Sequence, residues 1–572
     1  MKNSNRRKNE PQKPMKGAHI AIKCLERANV KTLFAYPGGA SLELHQALQD
    51  SKMRVILPRH EQGGAFAAAG FARMTGETGV CMATSGPGAT NLITGIADAY
   101  MDSIPLVAIT GQVHSSLIGK NAFQEIDIIG VTRPIVKHSY LVLDASEIPK
   151  IFAEAFLLAN SGRPGPVVID LPKNVQQQIC TPVFPEKTTI RSYRADHQVS
   201  TEDIEAIRDA IEKCKRPCIY AGGGIITSGA SESLRKFAES YNIPVTTTLM
   251  GIGAFPETHP LSLKWLGMHG TVYANNAANE ADLLLAFGAR FDDRVTGPVS
   301  TFAVNAKIVH VDIDRSEINK NVPADIGVVA NIKDVLDALN KKPVRKKYTD
   351  WFAQIHEWKR KFPLTYKETG KIQPQYVIQT LCRLTNGEAV IVPGVGQHQM
   401  WSAQYYTYRY PRQFLASGGL GAMGFGFPTA MGAKVASPDK LVVNIDGDGS
   451  FQMNIQELGT LHNEEIEVKT IILNNQHLGM VAQWEDRFYG SRRGNTVLKN
   501  ERVDRPYPDF VTIARGYMIP GREVYRKEDL EDAIKEMLAT KGSFVLDVHV
   551  EYHEHVLPMI PPGKTYKDII YE

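Results

Sequence analysis

The segment 441–450, L-V-V-N-I-D-G-D-G-S, constrains this chain more than any other, together with its echo at 471–476, I-I-L-N-N-Q. Each is an apolar run of strand length that stops on polar residues. Asp448 and Asn475 lie 27 residues apart. That spacing leaves room for a strand end, a crossover helix over about 451–462 and a return strand. A right-handed crossover then delivers both polar tips to one edge of a parallel sheet. A carboxylate and an amide oxygen at such an edge are a sparse ligand set for a hard cation. Mg²⁺ suits it, because Mg²⁺ completes its octahedron with waters and phosphate oxygens. Gly447 and Gly449 let the backbone approach a phosphate. Gly-Asp-Gly is also ordinary turn chemistry; the paired Asn474-Asn475 favours the cation site.

The rest of the chain repeats this strand-and-helix rhythm. In the first third, strand-like runs at 32–36, 55–57, 80–84, 106–110 and 167–171 end in Gly- or Pro-containing loops. Helix-covered parallel sheets have this rhythm, and their ligands sit beyond the carboxyl ends of the strands. Glu61 opens an Ala-rich segment, A-F-A-A-A-G-F-A, that is apolar all round and therefore buried. As a first-turn acid Glu61 gains from the helix dipole; at the mouth of a buried helix it also needs a partner. The turn 85–91, S-G-P-G-A-T-N, lacks the Gly-Lys-Ser/Thr ending of a P-loop.

The rhythm restarts after a link at 181–192. Strands are expected at 217–220, 245–248, 283–287 and 308–313, with Gly222, Gly223 and Gly224 ending the first and Asp312 near the tip of the last. An acid there suits a ribose hydroxyl, though G-x-G-x-x-G is absent. Arg294, in F-D-D-R-V-T-G, reads either as a solvated ion pair or as a guanidinium presented to an anion. Beyond a charged stretch at 341–371 come a strand at 389–392, the loop 394–401, a Gly-rich loop at 417–426, the opening unit, and a closing strand at 544–550.

A chain of 572 residues is long enough for three or four domains of ~150 residues. With 65 basic and 61 acidic side chains, charge is too balanced to argue for nucleic acid or an anionic membrane. No apolar run approaches the roughly 18 residues of a membrane span. Six scattered cysteines without a C-x-x-C look like reduced core residues of a cytoplasmic protein. Residues 1–16 are basic, lack an apolar run, and are expected to form a disordered tail.

Gly447-Asp448-Gly449 with Asn474-Asn475 matches the signature of thiamine-diphosphate enzymes. Y-P-G-G-A-S (36–41), R-H-E-Q-G (59–63), A-T-S-G-P-G-A-T-N-L (83–92), A-F-Q-E (122–125), R-P-G-P (163–166), R-F-D-D-R-V-T-G (290–297), G-G-L-G-A-M-G-F-G (418–426) and Q-W-E-D-R-F-Y (483–489) extend the match in order from about residue 17 onward. Together they resemble the catalytic large subunit of the acetohydroxyacid (acetolactate) synthase family. His114 departs from the pattern, which usually has proline there, in a loop at the substrate entrance.

The resemblance implies three α/β domains, each a doubly wound parallel sheet: pyrimidine-binding (17–183), central FAD-binding (192–346) and diphosphate-binding (373–552), followed by a tail (553–572). It implies a homodimer or homotetramer, with the cofactor shared between subunits, and a small regulatory subunit. Thiamine diphosphate would take pyruvate, release CO₂ and pass the two-carbon unit to pyruvate or 2-oxobutanoate. Glu61 would bond the pyrimidine ring, with Val395 beside it and Met423 forcing a bent cofactor. Gln397, His398, Gly421, Gly449 and Ser450 would surround the diphosphate, and Asp448, Asn475 and the His477 carbonyl would hold Mg²⁺. Arg294 would orient the acceptor carboxylate and Trp484 shape its pocket, with Gln124 and Lys173 also in the site and Phe123 packing at the entrance. FAD would contact Arg163, Gly222, Gly223, Gly224, His269, Arg290 and Asp312, in a structural role because the net reaction has no redox step. A pyruvate oxidase or a flavin-free catabolic synthase fits the 290–297 and 483–489 blocks less well. A non-catalytic relative would have lost Glu61, Asp448 or Asn475.

Overall fold

A computed structural model describes residues 13–191, 193–195, 198–504 and 506–571. The chain divides into two compact units, one through Tyr193 and one from Arg194 onward. The second unit holds two sheets, so the three expected α/β layers are present although contacts gather them into two bodies.

In the first unit six parallel strands run in the order Arg54–Ile56, Thr32–Ala35, Gly79–Ala83, Leu106–Gln112, Pro166–Pro172, His138–Leu141. The central strands are buried on both faces, as parallel strands under helices must be. The helix Glu61–Thr75 is sealed almost throughout because its Ala and Gly residues permit close contact. A Cβ on Gly79 would stand 2.1 Å from the Ala68 carbonyl oxygen. His60 caps the helix by accepting from the Gln62 N–H at 3.1 Å, and Gly76, at φ 81°, ends it in the left-handed region. Buried Arg73 binds Asp98 at 2.7 Å and Asp102 at 2.8 Å, locking this helix to Ile93–Met101 and the residue that ends it.

Residues 13–16 depart from the expected tail. Met15–Lys16 pairs antiparallel with Ile179–Cys180, closing the unit's two ends on each other. Residues 1–12 lie outside the described residues.

In the second unit one sheet has the parallel order Ser262–Trp265, Val245–Thr247, Pro217–Ala221, Leu283–Phe287, Lys307–Asp312, Ile326–Val329. The other has the parallel order Val390–Pro393, Val442–Gly447, Lys469–Asn474, Phe544–His549, Gly521–Val524. Val442–Gly447 and Lys469–Asn474 are hydrogen-bonded neighbours, so the opening motif forms the expected parallel pair. The crossover is not one helix. Asp448–Phe451 and Leu458–Asn463 are α-helical, and Gln452–Glu457 between them is 3₁₀. The break falls at Asn454 (φ −135°), whose side-chain N–H donates to the Gly424 carbonyl at 2.8 Å.

The segment expected as a tail from 553 is also built in. Val556 and Met559 are fully buried, and the Ile560 N–H donates to the Met268 carbonyl at 2.8 Å. Among the described residues no helix is long and apolar enough to cross a membrane.

Candidate active site

Four loops converge at the carboxyl edge of the 390–549 sheet. The strand Val442–Gly447 delivers Asp448, which is 1% exposed, into a short helix. Its Oδ2 is buried without a hydrogen-bond partner. Burial pushes this carboxyl up to about 7, against the pull of the Tyr507 hydroxyl. A cation would relieve both strains. Asn475 follows the neighbouring strand and is buried. Its Oδ1 accepts from the His477 N–H at 3.1 Å, and its Nδ2 donates to Gln397 Oε1 at 3.2 Å. Gln476 turns the chain at φ 56°, and His477 Nδ1 lies 2.6 Å from the Asn475 carbonyl.

Gln397 is the hub of an amide network. Its Nε2 donates to Gln483 Oε1 at 3.0 Å and to the Glu554 carbonyl at 2.9 Å. Gln483 in turn accepts from the Val556 N–H at 2.8 Å and donates to the Val556 carbonyl at 3.1 Å. His398 is buried, its Nε2 has no hydrogen-bond partner, and burial lowers its pKa to about 3, so it is a neutral imidazole. Close approach explains two glycines. A Cβ on Gly447 would fall 2.6 Å from His398 Nδ1, and one on Gly479 would fall 2.2 Å from Gln397 Oε1.

Ser450 Oγ accepts from the Gly424 N–H at 3.1 Å, tying the Gly-rich loop to the Asp448 turn. Gly449 packs against Leu478 and Leu498, with the Met423 methyl next, and Gly421 faces Val395. Val395, Gln397, His398, Gly421, Met423, Asp448, Gly449, Ser450, Asn475 and His477 thus share one edge. The orphaned Asp448 and His398 atoms fit a diphosphate with its cation. Trp484 is half-buried on the helix Gly479–Phe488 and meets the Phe488 ring at 5.7 Å.

Gln483 and Asp446 went unnoticed in the sequence. Asp446 is buried below the same turn, and burial raises its carboxyl to about 6. Gln483 stands in the block 483–489, and its partners Gln397 and Val556 are distant in sequence.

In the other sheet of this unit, Gly222–Gly224, Arg290 and Asp312 follow three adjacent strands at their carboxyl ends. Gly222 packs on its own sheet, since a Cβ there would overlap the Gly288 carbonyl at 1.9 Å. Asp312 Oδ1 accepts from the Asp314 N–H at 2.8 Å, shaping the turn. His269 is buried with Nδ1 3.3 Å from the Pro558 carbonyl, and burial lowers it to about 4. Arg294, with its side chain 64% exposed, sits 3.6 Å from Asp293. It lines a cavity of about 370 Å³ with Met268, Ile560 and Pro561.

In the first unit, Glu61 and Lys173 open helices that follow strands at the carboxyl edge of the sheet, and Gln124 lies in the loop after Leu106–Gln112. Glu61 is only part-buried, and its Oε2 accepts from Asn91 Nδ2 at 2.9 Å. That partner comes from the 83–92 loop. Gln124 is held at φ 58° and packs on Gly86, while Phe123 beside it is 88% exposed. Lys173 is exposed. Arg163 lies apart from these, at the amino end of Pro166–Pro172, where its Nε donates to Ser103 Oγ at 2.8 Å.

Three family models match the chain: thiamine pyrophosphate enzyme N-terminal TPP binding domain over 15–131, central domain over 204–339, and C-terminal TPP binding domain over 394–548. Acetolactate synthase 1, chloroplastic, of Zea mays is 55% identical over 573 residues, covering 98% of this chain and 90% of that protein. Acetolactate synthase, chloroplastic, of Arabidopsis thaliana is 53% identical, covering 98% of this chain and 85% of that protein.

Proposed function

The chain belongs to the acetolactate synthase family of thiamine pyrophosphate enzymes, and we propose that it makes acetohydroxy acids from 2-oxo acids. Pyruvate loses CO₂ and its two-carbon unit joins a second pyruvate or 2-oxobutanoate. The products are 2-acetolactate or 2-aceto-2-hydroxybutanoate, the first common step toward the branched-chain amino acids. Bound thiamine diphosphate supplies a carbon centre that carries the two-carbon unit as an acyl-anion equivalent.

The residues of the chain then have separable tasks. Asp448, Asn475 and the His477 carbonyl would hold Mg²⁺, with Gln397, His398, Gly421, Gly449 and Ser450 around the diphosphate. The observation that most supports this is the buried, unpartnered Asp448 Oδ2 at the end of one strand, with Asn475 at the end of its hydrogen-bonded neighbour. Met423 and Val395 would support the rings. Asn91 fixes Glu61 through Oε2, which leaves Oε1 to share a proton with a ring nitrogen. Arg294, in its cavity, would orient the acceptor carboxylate and Trp484 would shape its pocket, and Gln124 and Lys173 would be further active-site residues. FAD would rest on Arg163, Gly222–Gly224, His269, Arg290 and Asp312 without a redox part in turnover. We also propose a homodimer or homotetramer, a small regulatory subunit and a cytoplasmic location.

The deciding experiment incubates purified protein with pyruvate, thiamine diphosphate, Mg²⁺ and FAD and measures acetolactate. Omitting FAD in a parallel arm tests the flavin. Absence of acetolactate in every arm rejects the reading.

A further inference from the structure

A side-chain cluster near the far edge of the 390–549 sheet has no part in the machinery above. The edge strand Gly521–Val524 runs parallel to Phe544–His549, with Glu523 opposite Asp547. Strand alternation puts Asp547 and His549 on one face. Asn474, opposite His549 on the next strand, joins that face. One potential ligand atom each from Glu523, Asp547 and His549 lies within 4.8 Å of the other two. His549 Nε2 stands 3.7 Å from Asp547 Oδ2, too far for a hydrogen bond.

The polar atoms here are not satisfied. Asp547 is 1% exposed, and its Oδ2 accepts from Asn474 Nδ2 at 3.2 Å. Its Oδ1 is buried without a hydrogen-bond partner, as are His549 Nε2 and Asn474 Oδ1. Burying a polar atom without a partner is costly, so three on one face call for an occupant. Burial pushes the Asp547 carboxyl up, and Glu523 and Asp509 bring like charge to it. Burial lowers His549 to about 4, leaving a neutral imidazole with a free lone pair. The Tyr525 ring stacks on His549 at 4.1 Å and 16°, which fixes the imidazole plane.

We propose that Glu523, Asp547 and His549 form a second divalent-cation site, suited to a first-row transition ion such as Zn²⁺, Mn²⁺ or Co²⁺. One imidazole nitrogen and two carboxylates are the donors such ions take, whereas Mg²⁺ prefers oxygen alone. Metal–ligand bonds of about 2.0–2.2 Å place neighbouring donors roughly 3–4 Å apart, and the Asp547–His549 separation falls in that range. Glu523 is exposed, so its side chain can swing to close the set and its surface position gives the ion a way in. The ion would pin the edge strand to its neighbour. It would be a separate site from the one at Asp448, because Asn474 and Asn475 face the two sites in turn.

The test titrates Co²⁺ into untagged holoenzyme already saturated with thiamine diphosphate and Mg²⁺. Bound metal is read by equilibrium dialysis and visible absorption. One Co²⁺ per chain beyond the Mg²⁺ complement is expected. Glu523→Gln and His549→Gln should each weaken it by at least about tenfold, while Asp448→Asn should leave it in place. No additional Co²⁺, binding indifferent to both Glu523→Gln and His549→Gln, or binding lost with Asp448→Asn would each overturn the proposal. If His549→Gln does not fold, the surface variant Glu523→Gln decides alone.

Discussion

The carboxyl edges of the 32–172 sheet and the 390–549 sheet are built from the same parts and finished differently. At the second, Asp448 is buried with an unpartnered oxygen, and Asn475, Gln397 and Gln483 are buried and cross-linked by amide hydrogen bonds. At the first, Glu61 is part-buried on one bond to Asn91, Gln124 is held in an unfavourable backbone region, and Phe123 stands in solvent. One edge is a preorganised anchor and the other is left open. Under the proposed function, the difference makes holding the cofactor and doing chemistry with it separate structural problems. An anchor gains from rigidity, whereas a face that admits substrate must expose its working side chains.

The largest effect should come from the open edge. Glu61→Gln keeps the bond to Asn91 geometrically possible but removes the shared proton, so turnover should fall roughly 10²–10⁴-fold. Thiamine diphosphate binding, followed by tryptophan fluorescence, should stay close to the parent value. Equal loss of binding would erase the division of labour. Asp448→Asn should do the opposite, weakening Mg²⁺-dependent cofactor binding by about one to two orders of magnitude in a Mg²⁺ titration. An unchanged Mg²⁺ requirement would show that the orphaned oxygen is not the ligand.

A smaller effect separates structural from functional acids. Asp170 is buried in the first sheet, accepts from Thr110 and Gln112, and is raised by burial to about 7. The fold therefore holds this proton to a higher pH than the unfolded chain does. Its contribution to stability is full near pH 4 and declines as pH rises toward 7, by a few kcal/mol at most. Asp170→Asn should flatten that part of a denaturation-versus-pH series without altering the Mg²⁺ titration. Smallest of all, Phe123→Ala should change stability by less than about 0.5 kcal/mol, because the ring buries almost nothing. A larger loss in urea melts would mean that the exposed face is covered in the folded assembly.

The strands legible in the sequence were those with apolar runs, such as 106–110 and 283–287. The unread ones, His138–Leu141, Ser262–Trp265, Ile326–Val329 and Gly521–Val524, all lie at sheet edges. Each is only four residues long, and three of the four are partly solvated, so they carry little of the pattern that marks a buried strand. The crossover broke at Asn454 because its amide serves the Gly-rich loop, a tertiary demand invisible to periodicity. The Asp448–Asn475 pair was readable because both residues end strands in sequence. The bond from Asn91 to Glu61 and the clasp of Gln483 on Gln397 were not, since each joins residues 30 and 86 positions apart. The strand at Met15–Lys16 was hidden because two residues carry no periodicity at all.

The Gln397 amide has a direction. Its oxygen faces Asn475 and its nitrogen faces Gln483 and the Glu554 carbonyl, so each end meets a partner of the right polarity. Exchange for glutamate would turn two attractions into repulsions while hardly changing size or shape. Position 397 is thus a fault line for natural drift. A substitution that most similarity scales rank as mild would be among the least tolerated here, and compensation would have to come from the stretch after residue 552 as well as from the loop itself.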